Sequence, residues 1–415
     1  MAGIRKTLRI AEFRALLVSY VINRAGDVFG ALALAIVVLG VTHSALATAA
    51  LFLATQFLPG LVGPVLVARV GAIAPGRLLP ACYVVEAVLF LVLAAVSRSL
   101  GVVFIIALAF VDGTLAFAAR SVTRSTTAST LIGSDLMPEG KAAFNLALGA
   151  ATVAGPVLAG AVLALFGPGL ALAGDGVSFL LAAVLIVRTP GLRVASGDSG
   201  DSRSAGGPRG GRRAAASLRY VAGHPVLRLL VFGEGLAFVF FYLVVPVTVV
   251  YAARSLHAGS AGYAAILASW GAGAVIGSAV HVRLARRVGH ATILLSTAAV
   301  AVAYVGTALA PVLVVACGAS VLGGIGNGTQ WASVETAVHG LVDEGFRLRV
   351  SALLESMAAL APGVGIILGG ALTTLFSPRA AYLAAGLGLF ALIGVAAFSR
   401  SLIAGPARDV APALG

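Results

Sequence analysis

Seven of the 15 acidic residues fall inside long apolar runs: Asp27, Glu86, Asp112, Asp175, Glu234, Glu335 and Glu355. An ionisable side chain in the middle of a hydrocarbon layer costs at least ~2.5–3.5 kcal/mol on insertion scales, so each is a functional candidate by default. A carboxyl held there can carry a proton or bind a cation. Asp27, Glu86 and Asp112 lie within about two residues of the middle of their runs, or ~3 Å of helical rise. Glu234 is about two helical turns into its run, between Gly233 and Gly235. Asp175 falls near one end of its run, and Glu335 and Glu355 near the opposite end of theirs, where water is close. Arg24 stands three residues before Asp27 on the same helical face and can neutralise it. Asp112 has no basic residue within a turn, Arg120 being two turns on.

Other chemistries find little support. The six histidines are scattered, with His43 and His257 in loops, and none has metal-ligand spacing. Cys82 and Cys317 each sit in an apolar run and form neither a disulfide framework nor a metal site. No His/Asp pair, Ser/Lys dyad or metal-ligand set marks an enzyme, and no cofactor is implied. The glycine-rich stretches Gly323–Gly328 and Gly363–Gly370 lack the Lys-Ser/Thr of a phosphate loop and lie in apolar segments, where small residues let helices pack closely. An ATP-driven pump is therefore not expected.

The elements that carry these acids are membrane helices. Of 415 residues, 60% are hydrophobic and only 10% charged, with a mean hydropathy of +1.05, far from the composition of a water-soluble domain. Crossing a bilayer takes about 20 apolar residues. Twelve stretches qualify: Phe13–Leu39, Ala45–Val67, Leu78–Val96, Val102–Ala119, Ala142–Phe166, Leu170–Val187, Val226–Val250, Ala261–Val282, Ala291–Leu309, Val312–Val338, Val350–Phe376 and Ala380–Phe398. With the N-terminus cytoplasmic, 24 of the 28 Lys and Arg residues lie on the inner side. Three lie outside, Arg98, Arg254 and Arg379, and Arg24 is within a span. That bias matches the preference of basic loops for the cytoplasm and places both termini there. The net charge of +13 thus reads as topology and not as a nucleic-acid surface. The basic, polar start Met1–Arg14 fits no cleaved signal.

The longest polar stretch, residues 188–224, is rich in Gly, Ser, Asp and Arg and reads as a cytoplasmic linker. It separates a six-span segment, 1–187, from a second, 225–402, ahead of a cytoplasmic tail, 403–415. Two such halves suggest an internal repeat. Ala68-Arg69-Val70-Gly71 after the second span is echoed by Arg286-Arg287-Val288-Gly289 after the eighth.

On these residues the chain resembles the major facilitator superfamily, and within it the drug-efflux branch that includes macrolide and siderophore exporters. Asn23-Arg24-Ala25-Gly26-Asp27 is similar to that branch's first-span Asn-x-x-Gly-Asp pattern. The loops around Arg69 and Arg287 occupy the place of the superfamily's basic Gly-rich loop, with Ala68 and Arg286 where that loop carries Asp. The fifth span opens with Asn145 and holds Gly155-Pro156-x-x-x-Gly160, resembling the exporters' Gly-Pro element, with Ala151 where a further Gly is usual. Asp175 precedes Ser178-Phe179 in the sixth.

The resemblance implies an all-α integral membrane fold of twelve helices in two six-helix bundles, with the first, fourth, seventh and tenth helices lining a central cavity. Asp27, Asp112 and Glu234 then become candidates for proton coupling or substrate binding, with Glu86 and Asp175 structural. Asn23, Arg24, Phe238, Tyr242, Asn327, Gln330 and Trp331 become candidate lining residues. Arg69, Arg120, Arg124, Arg287, Glu335, Arg347, Arg349 and Glu355 are candidates for a cytoplasmic gate. Aromatics with a few acids suit a lipophilic compound, and a cationic one if charged. The expected function is export of such a compound, a drug or natural product, by a monomeric secondary transporter in the plasma membrane. Proton antiport is preferred to sodium coupling; a metabolite importer of the same fold and a lipid flippase are the alternatives. The preference for Arg over Lys, with many Ala, Gly and Val, suggests a GC-rich bacterial source.

Overall fold

The computed structural model describes residues 6–70, 73–96, 101–131, 136–194, 221–284, 290–342 and 344–403. Among these, the chain forms twelve long helices. In chain order they are α1 (Ala11–Thr42), α2 (Ala45–Phe52 continuing through Leu58–Val70), α3 (Pro75–Val96) and α4 (Val102–Leu131). A continuous stretch Met137–Val187 follows, broken at Gly167 into α5 (137–166) and α6 (168–187). The second set is α7 (Pro225–Val250), α8 (Gly259–Leu284), α9 (His290–Leu309), α10 (Leu313–Leu341), α11 (Glu344–Leu375) and α12 (Pro378–Ile403). Ten segments of the described residues are long and apolar enough to cross a membrane by length and composition. This is a multi-pass membrane protein.

Local chemistry sets the ends of these helices. At Gly167 the backbone takes φ 78°, a conformation open to glycine and closed to most side chains, and Pro168 follows. The chain reverses there, between the fifth and sixth expected spans. His43 ends α1 in the left-handed region, its N–H bonded to the Leu39 carbonyl at 2.8 Å. α4 runs twelve residues past the expected Ala119. Its extension is rich in hydroxyls, which donate back to carbonyls four residues earlier: Thr126 to Val122 at 2.8 Å, Thr127 to Thr123 at 2.7 Å and Thr130 to Thr126 at 2.7 Å. Self-satisfied in this way, a polar segment continues a helix that hydropathy alone would end. π-helical turns at Leu53–Phe57 in α2 and Tyr251–Ser255 after α7 have no sequence signature.

The helices pair in one pattern, used twice. Among the first six, α2 and α3 pack on α4, α3 packs on α6, and α1 packs on the α5–α6 stretch. Among the last six, α8 and α9 pack on α10, α9 on α12, and α7 on α11 and α12. Adding six to each number maps one pattern onto the other. Glycine makes the closest crossings possible. A Cβ on Gly324 of α10 would strike the Trp270 carbonyl of α8, and one on Gly369 of α11 would strike the Leu243 carbonyl of α7.

Among the described residues the two sets meet at the end of the bundle that carries His43, Gly167 and His257. There α2 packs on α11 and α7, and α5 on α8. Gly370 faces Ala49, Gly363 faces the Phe57 ring, and Gly160 faces Ala264. The Arg254 guanidinium also donates to the His43 carbonyl, across the two sets.

Candidate functional site

The first six helices enclose a group of charges built around Asp27. Its Oδ2 accepts hydrogen bonds from two guanidinium groups, Arg24 Nη1 at 3.1 Å and Arg120 Nη1 at 3.0 Å. The first follows from i, i+3 spacing on α1. The second joins α1 to α4, which no spacing in the sequence reveals. These are the two ion pairs among the described residues, and both are partly exposed. Arg120, a gate candidate, is thus paired with a carboxylate of its own set of helices.

Three further carboxyls surround this pair. Glu86 of α3 is 0% exposed and neither of its carboxyl oxygens has a hydrogen-bond partner. It lies in the fields of Asp112, Asp27, Arg120 and Asp175. Asp112 of α4 is buried, with Oδ1 unpartnered, in the fields of Asp27 and Arg120. Asp175 of α6 is held at 3.3 Å by the Ser178 hydroxyl on Oδ1, while its Oδ2 is buried without a partner. Gly26 and Gly30 on α1 make room for it: a Cβ at Gly26 would collide with the Asp175 carboxyl, and one at Gly30 would stand 2.6 Å from Oδ2. The amide of Asn23, one turn before Asp27, is likewise buried and unpartnered. Glu86 and Asp175, expected to be structural, thus share a site with Asp27 and Asp112. The Asn-x-x-Gly-Asp spacing carried part of that signal, since its Gly26 is the notch for Asp175.

Tyr242, a candidate lining residue of the second set on α7, packs against Gly365 of α11. The neighbouring aromatics divide. Phe238 meets Phe241 edge-on, with ring centroids 6.3 Å apart, while Phe240 packs on Gly388 of α12. Asn327 is half-buried on α10. In the Gly-Pro element, Gly155 packs against Val28 of α1 and Gly160 against Ala264 of α8, so this stretch touches both sets of helices.

Glu234 occupies a separate place. It is 3% exposed, and its Oε2 accepts a 2.6 Å hydrogen bond from Gln330 Nε2 of α10. Both side chains line a pocket whose other walls include Ile293 and Thr297 of α9 and Leu392 and Ala396 of α12. The resemblance placed Glu234 on a cavity helix, as it did Asp27 and Asp112. Its side chain opens toward α9, α10 and α12, while the neighbouring Gly235 faces Met357 of α11. No hydropathy pattern pairs α7 with α9, so the pocket was not visible in the sequence.

Of the other gate candidates, Arg69 and Arg124 are exposed. Arg287 and the side chains of Trp331, Glu335, Arg347, Arg349, Glu355 and Pro156 lie outside the described residues. Among the described residues no group of three or more His, Cys, Asp or Glu is arranged to hold a metal ion.

Comparison with known proteins bears on the whole arrangement. Over 93% of this chain and 98% of its own, the nucleoside transporter NupG superposes with a TM-score of 0.68 at 11% identity. A bacterial homologue of the iron transporter ferroportin in an inward-facing state matches with a TM-score of 0.68 at 16% identity, covering 92% of this chain and 98% of its own. The fold is the major facilitator fold. The peptide transporter POT, in a mutant form bound to alafosfalin, has it as well, with a TM-score of 0.66 at 13% identity over 94% of each chain. The sequence model of the Major Facilitator Superfamily matches residues 230–413. No curated protein sequence matches the chain.

Proposed function

We propose that the protein is a major facilitator superfamily transporter of the plasma membrane, exporting a small lipophilic compound by proton antiport and alternating access. Both termini are cytoplasmic, and the bundles 1–187 and 225–402 rock about a central site, joined by the linker 188–224. The family match over residues 230–413 and the shared fold support transport. The excess of basic residues in alternate loops supports the orientation.

The observation that carries proton coupling is the imbalance around Asp27. Two guanidinium groups serve one carboxylate, while Glu86, Asp112 and Asp175 keep buried oxygens without partners. A carboxyl out of water needs a counter-ion or a proton, and both nearby cations are already engaged. Arg120 acts on Asp27, Asp112 and Glu86 alike. A proton arriving on Asp27 releases Arg120 toward Asp112, and a proton leaving Asp27 draws it back. Since Asp27 is on α1 and Arg120 on α4, each exchange changes the contact between two helices of the central site. Substrate loading and proton loading then alternate.

Inverted membrane vesicles with an imposed pH gradient, acid inside, test this reading. Wild-type vesicles accumulate ethidium, a lipophilic probe, and the conservative Asp112→Asn variant, present at the same level, does not. Undiminished accumulation by Asp112→Asn removes Asp112 from the coupling path.

A further inference from the structure

The pocket between α7, α9, α10 and α12 has an unusual polar inventory. Among the described residues, three polar side chains line it: Glu234, Gln330 and Thr297. The Thr297 hydroxyl donates to the Ile293 carbonyl at 2.8 Å, and Gln330 Nε2 donates to Glu234 Oε2 at 2.6 Å. Two acceptors remain, Glu234 Oε1 and Gln330 Oε1, both buried and both without a donor. No described Lys, Arg or His lines the pocket, and the rest of its wall is aliphatic or glycine: Leu230, Ala237, Val334 and Leu392 are representative. A buried acceptor left without a donor costs about 1–3 kcal/mol, more when charged. The site therefore asks for a guest that brings N–H donors and a positive charge at one end and hydrocarbon at the other.

We propose that this pocket binds the protonated amino group of an alkylamine or arylalkylamine, with N–H donors on Glu234 Oε1 and Gln330 Oε1 and the apolar tail along α9 and α12. A quaternary ammonium supplies the charge without the donors, and a fatty alcohol supplies the tail and a single donor without the charge, so both bind more weakly. The pocket is distinct from the Asp27 group, which belongs to the first six helices. The proposal adds an amine site to the exporter described above, beside the lipophilic cargo of its central site, and only the amine's place in transport rests on that reading. The binding itself does not.

The test is equilibrium binding of radiolabelled decylamine to the purified full-length protein in nanodiscs of neutral lipid, with empty nanodiscs as background and no ion gradient. The expected result is saturable binding, displaced by unlabelled decylamine and at least tenfold less effectively by decyltrimethylammonium or decanol. Glu234→Gln, isosteric and uncharged, weakens binding at least tenfold. Leu392→Trp, which keeps the carboxyl and fills the pocket, does the same, and whichever variant keeps the wild-type melting temperature decides the matter. No saturable binding, equal displacement by decanol, or wild-type affinity in a folded variant overturns the proposal. A chain that binds decylamine through Glu234 but moves no substrate contradicts the transport reading and leaves the pocket assignment standing.

Discussion

Asp27 holds two arginines on one oxygen, 3.1 and 3.0 Å away, while a second carboxyl, Asp175, is pressed against Gly26 and Gly30 of α1. At this scale the sequence reading was half complete. Arg24 and Asp27 share a helical face by spacing alone, so their pairing could be anticipated. Arg120 lies 93 positions away, and only the crossing of α1 with α4 brings it in. Glu86 was expected to be structural; α3 packs on α4 and α6, and its face toward the bundle carries Glu86. The notch at Gly26 is testable. Gly26→Val drives a side chain into the Asp175 carboxyl, and overpacking of this kind costs about 1–3 kcal/mol. The thermal unfolding midpoint of the detergent-solubilised protein is expected to fall by several degrees, and Gly26→Ala to lie between. A Val variant as stable as wild type contradicts this packing.

The helices themselves were the most legible feature, because a bilayer requires long apolar runs and alternating loop charge. Each of the twelve expected spans corresponds to a helix. The departures have physical causes: hydroxyls that bond back to their own backbone extend α4, and π-turns in α2 and after α7 leave no mark in composition. The glycine stretches pack helices closely: Gly324, Gly326, Gly328, Gly365 and Gly369 abut backbone atoms of neighbouring helices, and Gly323, Gly363 and Gly370 abut side chains. Gly324 meets the Trp270 carbonyl while Gly273, from the other side, meets the Val321 carbonyl, so α8 and α10 approach through a reciprocal pair. Gly324→Leu forces these helices apart. We expect it to destabilise the protein more than the same change at Gly318 of the same helix, where a Cβ meets nothing within 4 Å. Equal melting temperatures for the two variants rule out the tight crossing.

For the molecule as a whole, the described contacts between the two sets of helices gather at the His43 end: Ala49 with Gly370, Phe57 with Gly363, Ala264 with Gly160, and Arg254 with the His43 carbonyl. Among the described residues this conformation is closed at that end. Alternating access requires these contacts to part. In a background with Cys82 and Cys317 replaced by serine, paired Ala49→Cys and Gly370→Cys substitutions are expected to form a disulfide on oxidation, stop transport and restore it on reduction. Transport that continues through the oxidised protein shows that this end does not open. The composition made the membrane helices readable; the site between them was not, because which faces meet depends on tertiary packing that no single helix encodes.

Proton counter-movement is the most direct measure of the whole account. In inverted vesicles with an acid lumen, reported by a lumenal pH-sensitive dye, adding ethidium should raise the lumenal pH as protons leave in exchange. Vesicles carrying Asp112→Asn should show no such response. A lumenal pH that stays fixed while the wild-type protein takes up ethidium, or an undiminished rise with Asp112→Asn, contradicts proton antiport through this group of carboxyls.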